Sequence, residues 1–121
     1  MELTAVNPAG RQIIERYGAG GFRVSGVIYA GPVLVFSDRT LPWVAAAPTA
    51  ESLAPVVEHR GIELLLLGLG RRIAPVPPAL RVWLKGEGIA VEPMDTGAAC
   101  RTYNVLIAED RRVAAALLPP V

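Results

Sequence analysis

The sequence predicts one small α/β domain over residues 1–121, and three observations support this fold class. A chain of 121 residues has the usual size of a single domain. Hydrophobic residues make up 52% of it and charged residues 19%, which favours a compact, heavily buried fold over a disordered polyelectrolyte. In its second half, short apolar runs alternate with stretches of helical periodicity, as in β-α-β units. We therefore expect a domain that folds without disulfides or a structural metal.

The first third of the chain is predicted to form strands, because glycines separate its short apolar pieces. One strand is indicated over residues 13–17 and a second over 22–29. Gly31 and Pro32 are then expected to turn the chain back into 33–36, which would complete an N-terminal β-hairpin region.

A helix is predicted after this region, from Thr49 as its capping residue through Glu58. Glu51 would lie near the positive end of the helix dipole. Pro55 is harmless only in a first turn, so the helix is expected to begin nearer Ser52.

The middle of the chain predicts a β-α-β unit. Residues 62–67 form an apolar run ended by Gly68, which is typical of a central strand covered on both faces. Pro77 and its neighbour can open a helix that closes at Gly86, and 89–91 supplies the next strand. The crossover between the two strands should be right-handed.

A further helix is predicted from Thr96 to Glu109, with Asp95 placed to cap it. Four of its apolar residues share one face at helical spacing: Ala99, Tyr103, Leu106 and Ile107. Residues 113–118 form the last predicted strand, which Pro119 ends.

A candidate binding site follows from this order of elements. If the strands over 62–67 and 89–91 are parallel, the loop after the first and the helix start after the second emerge at the same carboxyl edge, where open α/β sheets bind ligands. Bare glycine amides beside two arginines can hold a phosphate or carboxylate. The residues of this patch are Gly68, Gly70, Arg71, Arg72, Asp95 and Thr96.

Simpler interpretations of the same residues exist. A dinucleotide fingerprint would need a third glycine where the chain has Ile73, and no Walker lysine follows, so a tight turn accounts for Gly68 and Gly70. Asp95 and Thr96 could act as a base and a hydroxyl donor, but helix capping explains both residue types without a ligand.

No catalytic constellation, metal site or cofactor is expected. Cys100, the single cysteine, is too far from any histidine in sequence to be an oriented nucleophile and is expected to be a packed core thiol. His59, the single histidine, is expected to be solvent-exposed at a helix end. Trp43 and Trp83 are interpreted as packing residues, because no basic stripe accompanies them.

Charge and hydropathy restrict the partners and the compartment. Twelve basic residues balance eleven acidic ones, so no net field would draw the chain to nucleic acid. The longest dense apolar run, 64–67, is far shorter than the roughly 20 residues of a membrane span. The N-terminus lacks the pattern of a signal peptide, and the lone cysteine suits a reducing cytoplasm. Arginine is preferred over lysine, which indicates GC-rich, bacterial coding.

Nearly the whole chain resembles a family of small archaeal and bacterial domains of unknown function that includes the mitochondrial complex I assembly factor three. The resemblance rests on Trp43, on the strand ending at Gly68-x-Gly70, on the segment 89–96, and most specifically on 98–106. It implies a three-layer α/β/α sandwich around a mixed central sheet with one antiparallel strand. The family usually shows Gly-Thr-Gly where this chain has Gly68-Leu69-Gly70, so no threonine hydroxyl is present there.

The resemblance implies no established enzymatic activity and a protein-binding role. Our leading hypothesis is a non-enzymatic interaction domain with a protein partner, assisting assembly of a membrane-associated or respiratory complex. The alternative is a small-molecule or anion-binding protein, or a weak enzyme, that uses the carboxyl-edge patch. The sequence leaves the oligomeric state open.

Overall fold

A computed structural model describes residues 1–3 and 10–120, which form eight strands and three helices. The strands are β1 (Ile14–Gly18), β2 (Gly21–Val24), β3 (Val27–Tyr29), β4 (Val33–Val35), β5 (Thr40–Pro42), β6 (Leu64–Leu69), β7 (Ala90–Met94) and β8 (Val113–Leu118). The helices are α1 (Ala50–His59), α2 (Pro78–Gly86) and α3 (Thr96–Ala108).

The central sheet has five strands in the order β5-β4-β8-β6-β7. Strands β8, β6 and β7 are parallel, as the predicted β-α-β unit requires. Strand β4 runs antiparallel to both of its neighbours, β5 and β8. The sheet is therefore mixed with one antiparallel strand, and this prediction is confirmed.

A hydrophobic layer covers each face of the sheet. The leucines of β6 point alternately to the two faces and so contribute to both layers. Leu65 and Leu67 point towards the side packed by Leu53 of α1 and Leu84 of α2. Leu66 points to the other side, which α3 and a small antiparallel sheet of β1, β2 and β3 cover. The three-layer α/β/α arrangement with an additional N-terminal β region is thus confirmed.

The helices begin close to their predicted caps. Thr49 accepts a hydrogen bond from the Ser52 amide at 3.1 Å, and α1 begins at Ala50, two residues earlier than expected. Pro55 therefore lies inside α1, where its missing N–H leaves the carbonyl of the exposed Glu51 without a helical partner. None of the helices in the described ranges is both long and apolar enough to cross a bilayer.

The predicted second strand is wrong, because residues 22–29 form two strands rather than one. Ser25 and Gly26 both have positive φ, of 44° and 84°, as a two-residue hairpin turn requires, and they fold β3 back onto β2. The hairpin predicted through the turn at Gly31 is also wrong, because β3 and β4 lie in different sheets. Strand β4 pairs instead with β5 and β8 in the central sheet.

Candidate functional site

The loop after β6 and the start of α3 meet at the carboxyl edge of the central sheet. Strands β6 and β7 are parallel and in register up to the pair Gly68 and Met94. The amide of Thr96 donates to the carbonyl oxygen of Gly70 at 2.8 Å. The predicted proximity of these two segments is therefore confirmed.

Thr96 joins three segments through its buried hydroxyl. Its Oγ1 accepts a hydrogen bond from the Gly70 amide at 2.8 Å and donates to the carbonyl oxygen of Leu118 at 2.6 Å. The hydroxyl thus uses its proton and one of its lone pairs inside the fold. Asp95 caps α3 as predicted, with its carboxylate accepting from the Ala98 amide at 2.9 Å.

The sequence analysis did not predict that Leu118 also takes part in this hydrogen-bonded junction. Strand β8 lies beside β6, and its last residue, Leu118, is in register with Leu69. Because β8 is parallel to β6, its carboxyl end reaches the same edge of the sheet. Only the sheet order reveals this, since the strand is separated from Gly70 by two helices in sequence.

Gly68, near the end of β6, and Gly70, in the loop after it, both contact the start of α3. A Cβ on Gly68 would lie 2.8 Å from Leu117 Cδ2 and 3.2 Å from the Thr96 Cα. Gly70 adopts a φ of 85°, and its amide is bonded to Thr96. The expectation of a bare amide at Gly70 is therefore corrected: that donor is already used.

Arg71 and Arg72 are the members of the patch that solvent reaches most directly. Both are exposed, and the following Ile73 has 67% of its surface exposed. Among the described residues neither arginine has a carboxylate within 4.0 Å. Gly68, Gly70 and Thr96 are buried, and the hydrogen bond between Gly70 and Thr96 holds the loop at the start of α3. Whether the patch binds an anion or a protein stays a prediction.

Cys100 lies inside the core, as predicted. It packs with Ala99, Tyr103 and Leu117 in the layer between α3 and the sheet. Burial raises the pKa of its thiol to about 12, with Asp95 contributing in the same direction and Arg101 opposing. The thiol is consequently protonated at neutral pH, which disfavours a nucleophilic role.

The expectation of a solvent-exposed His59 is wrong. Its ring is stacked on Phe36, with centroids 4.5 Å apart, and the imidazole side chain is only 15% exposed. The imidazole Nε2 lies 2.7 Å from Asp38 Oδ1. This hydrogen bond lowers the pKa of Asp38. The side chain therefore fastens the end of α1 to the loop after β4.

The chain matches known proteins over most of its length. A model of the family described as "Protein of unknown function (DUF498/DUF598)" matches residues 14–118. An uncharacterized protein of Rhodobacter capsulatus is 42% identical over 112 residues, which are 92% of this chain and 87% of that protein.

A second relative carries a functional name. The Xenopus tropicalis protein named NADH dehydrogenase [ubiquinone] 1 alpha subcomplex assembly factor 3 is 36% identical over 112 residues. The match takes in 88% of this chain but 61% of the relative, so the chain spans about three fifths of that assembly factor's length.

A solved structure has the same fold. The crystal structure of a Bartonella henselae protein, described as an outer membrane protein, superposes with a TM-score of 0.83 at 39% identity. The superposition covers 93% of this chain and 98% of that structure.

Proposed function

The chain belongs to the DUF498/DUF598 family, and from that premise we propose that it is a non-enzymatic interaction domain that assists assembly of a membrane-associated or respiratory complex. One observation carries the proposal: the 36% identity, across 88% of the chain, to a protein named as an assembly factor of NADH dehydrogenase. An assembly factor acts by binding other proteins, so this role requires a protein partner.

We place the partner on the carboxyl-edge patch. Arg71 and Arg72 project into solvent next to the exposed Ile73, and Thr96 fixes the loop that carries them. Burying a charged side chain is costly and a turn does not need one, so folding does not account for the paired arginines. Two guanidinium groups beside an apolar side chain suit an acidic partner surface with an apolar centre.

The test is the double variant Arg71→Glu with Arg72→Glu. Surface changes of this kind usually alter stability by only about 0.5 kcal/mol or less, so the variant should fold. It should capture less of its native partner from an extract of the source cell than the unaltered chain. Lys85→Glu is the matched control, because Lys85 is exposed on α2 away from the patch.

Two outcomes oppose the proposal. If the double variant unfolds, the arginines have a structural role. If it folds and retains every partner at the original level, the interaction surface lies elsewhere.

The alternative, a small-molecule or anion site at this edge, has weaker support. It relied on the Gly70 amide and the Thr96 hydroxyl, and these groups bond to each other. A thermal-shift screen tests it, because a metabolite bound there would raise the melting temperature with the logarithm of its concentration.

A further inference from the structure

A second basic site lies at the opposite end of the central sheet. A pocket of about 300 Å³ is formed where β6 and β8 begin and where α1 and α3 end. Its titratable lining consists of four arginines, one histidine and one aspartate: Arg11, Arg60, Arg111, Arg112, His59 and Asp110. We refer to it as the arginine pocket.

Local carboxylates neutralise only part of this charge. Arg11 forms an ion pair with Asp110, and Arg112 pairs with Glu63 at 2.6 Å on the exposed rim. Arg60 and Arg111 have no carboxylate within 4.0 Å in the described ranges. Two exposed guanidinium groups therefore border one concave surface without an ionic partner.

The carbonyl groups at the end of α3 account for only part of this accumulation. The carboxyl end of α3 is already served by Arg11, whose Nη1 donates to the carbonyl oxygen of Ile107 at 3.0 Å. The main-chain amide of Arg111 also donates to the carbonyl oxygen of Leu106, at 2.9 Å. The Arg111 side chain is thus not needed to satisfy the end of the helix.

The backbone at Arg60 is strained in a way that glycine would relieve. Arg60 has φ 65° and ψ 141° at the point where α1 ends. This conformation is unfavourable for a residue with a Cβ, by about 1 kcal/mol or more. Glycine, which lacks a Cβ, adopts such a conformation without this cost. An arginine here costs stability, while its exposed side chain has no ionic partner within the described ranges.

We propose that the arginine pocket binds the phosphate group of a small phosphate ester. Guanidinium forks match the geometry and charge of phosphate oxygens, and the pocket volume lies at the lower end of the range of small-ligand sites. Ile62 also lines the pocket, and the 8% of its surface that stays exposed offers an apolar contact to the organic part of the ester. This inference does not depend on the proposed protein-binding function.

The test is a titration of the full chain, followed by NMR amide shifts, with glycerol 3-phosphate and separately with inorganic phosphate at constant ionic strength. Saturable shifts should appear at residues 59–62 and 110–113, and the ester should bind more tightly than inorganic phosphate. Arg60→Gly and Arg111→Gln should each weaken binding about tenfold or more, since each removes a charge-assisted contact. Arg60→Gly should also leave the fold at least as stable, which separates lost binding from unfolding.

Lys85→Gln is the matched control, because it removes one exposed positive charge at the same end of the sheet from a residue that does not line the pocket. It should bind both probes as the unaltered chain does. Equal weakening by Lys85→Gln would mean that net charge alone attracts the anion, and the proposal would fail. It would also fail if neither probe saturates, or if both arginine variants keep full affinity. Tighter binding of inorganic phosphate than of the ester would overturn the assignment of an ester.

Discussion

Asn104 on α3 and Ile14 on β1 are joined by two hydrogen bonds that imitate the pairing of neighbouring strands. Asn104 Oδ1 accepts from the Ile14 amide at 2.9 Å, and Asn104 Nδ2 donates to the Ile14 carbonyl oxygen at 2.8 Å. A carboxamide carries one acceptor and donors in the same arrangement as a peptide group. The side chain therefore fastens the small antiparallel sheet to the helix.

Replacing Asn104 with alanine should lower the free energy of unfolding by about 1–3 kcal/mol, because it leaves the main-chain groups of Ile14 without these partners. Hydrogen exchange of the Ile14 amide should accelerate more than that of amides in β6. Denaturant unfolding and exchange measurements check both effects. Val105→Ala is the control, since Val105 lies in the same helix and is 57% exposed. Equal losses in the two variants would contradict the role given to Asn104.

Thr96→Val should destabilise the protein by about 2–4 kcal/mol. The change keeps the shape of the side chain but removes the partner of the Gly70 amide and of the Leu118 carbonyl oxygen, which lie at a buried junction. Thr96→Ser retains the hydroxyl and should lose only about 1 kcal/mol, the value of one methyl group. Urea unfolding distinguishes the two. If valine is tolerated as well as serine, the hydroxyl does not hold the edge together.

Gly68→Ala and Gly86→Ala should have opposite effects on stability. A Cβ at Gly68 would meet Leu117 at 2.8 Å, so the variant should lose about 1–3 kcal/mol through overpacking. At Gly86, in the last turn of α2, the added Cβ would have no atom within 4 Å apart from its chain neighbours and the backbone of the helix itself, and alanine favours the helix by up to about 1 kcal/mol. Thermal melting of both variants measures the difference. A neutral result at Gly68 would show that α3 can shift away from β6.

Stability should fall with rising pH above about pH 9 because of Cys100. Its ordinary pKa of 9.0 is raised to about 12 by burial, so the unfolded chain releases this proton first. The stabilisation is complete below pH 9 and is lost towards pH 12, with a slope of up to about 1.4 kcal/mol per pH unit. Burial also raises the pKa of Tyr103 above its ordinary 10.0, so this residue adds to the decline as the pH approaches 10, and a variant without the thiol is needed to separate the two contributions.

The measurement is denaturant unfolding from pH 7 to 10 for the unaltered chain and for Cys100→Ala. The alanine variant should show a shallower decline between pH 9 and 10, whatever its absolute stability. Parallel curves would mean that the thiolate is not excluded from the folded state.

The β-α-β unit could be predicted because its information is local. The apolar run of β6, the prolines that open α2 and the Asp95 cap of α3 lie within single elements. The β2–β3 hairpin also had a local indication, the Ser25-Gly26 pair between Val24 and Val27, but residues 22–29 were interpreted as one strand.

Other features depend on contacts between distant parts of the chain. The position of β4 was missed because its partner β8 lies at the far end of the sequence. The arginine pocket combines Arg11, Arg60 and Arg111 from three separate segments. A weak indication existed, since Arg60 and Arg111 each precede a strand and parallel strands start at the same edge. The stacking of His59 on Phe36 had no comparable local pattern.

The place of β8 in the sheet bears on how the chain folds during synthesis. The strand that comes last among the described elements lies between β4 and β6, and β4 meets the rest of the sheet only through it. Until residues 113–118 have left the ribosome, the β4–β5 pair and the β6–β7 pair have no shared neighbour, and both present an open edge. Pairing over such a separation is slow, and open edges favour aggregation. We therefore expect the nascent chain to need chaperone protection most just before β8 emerges.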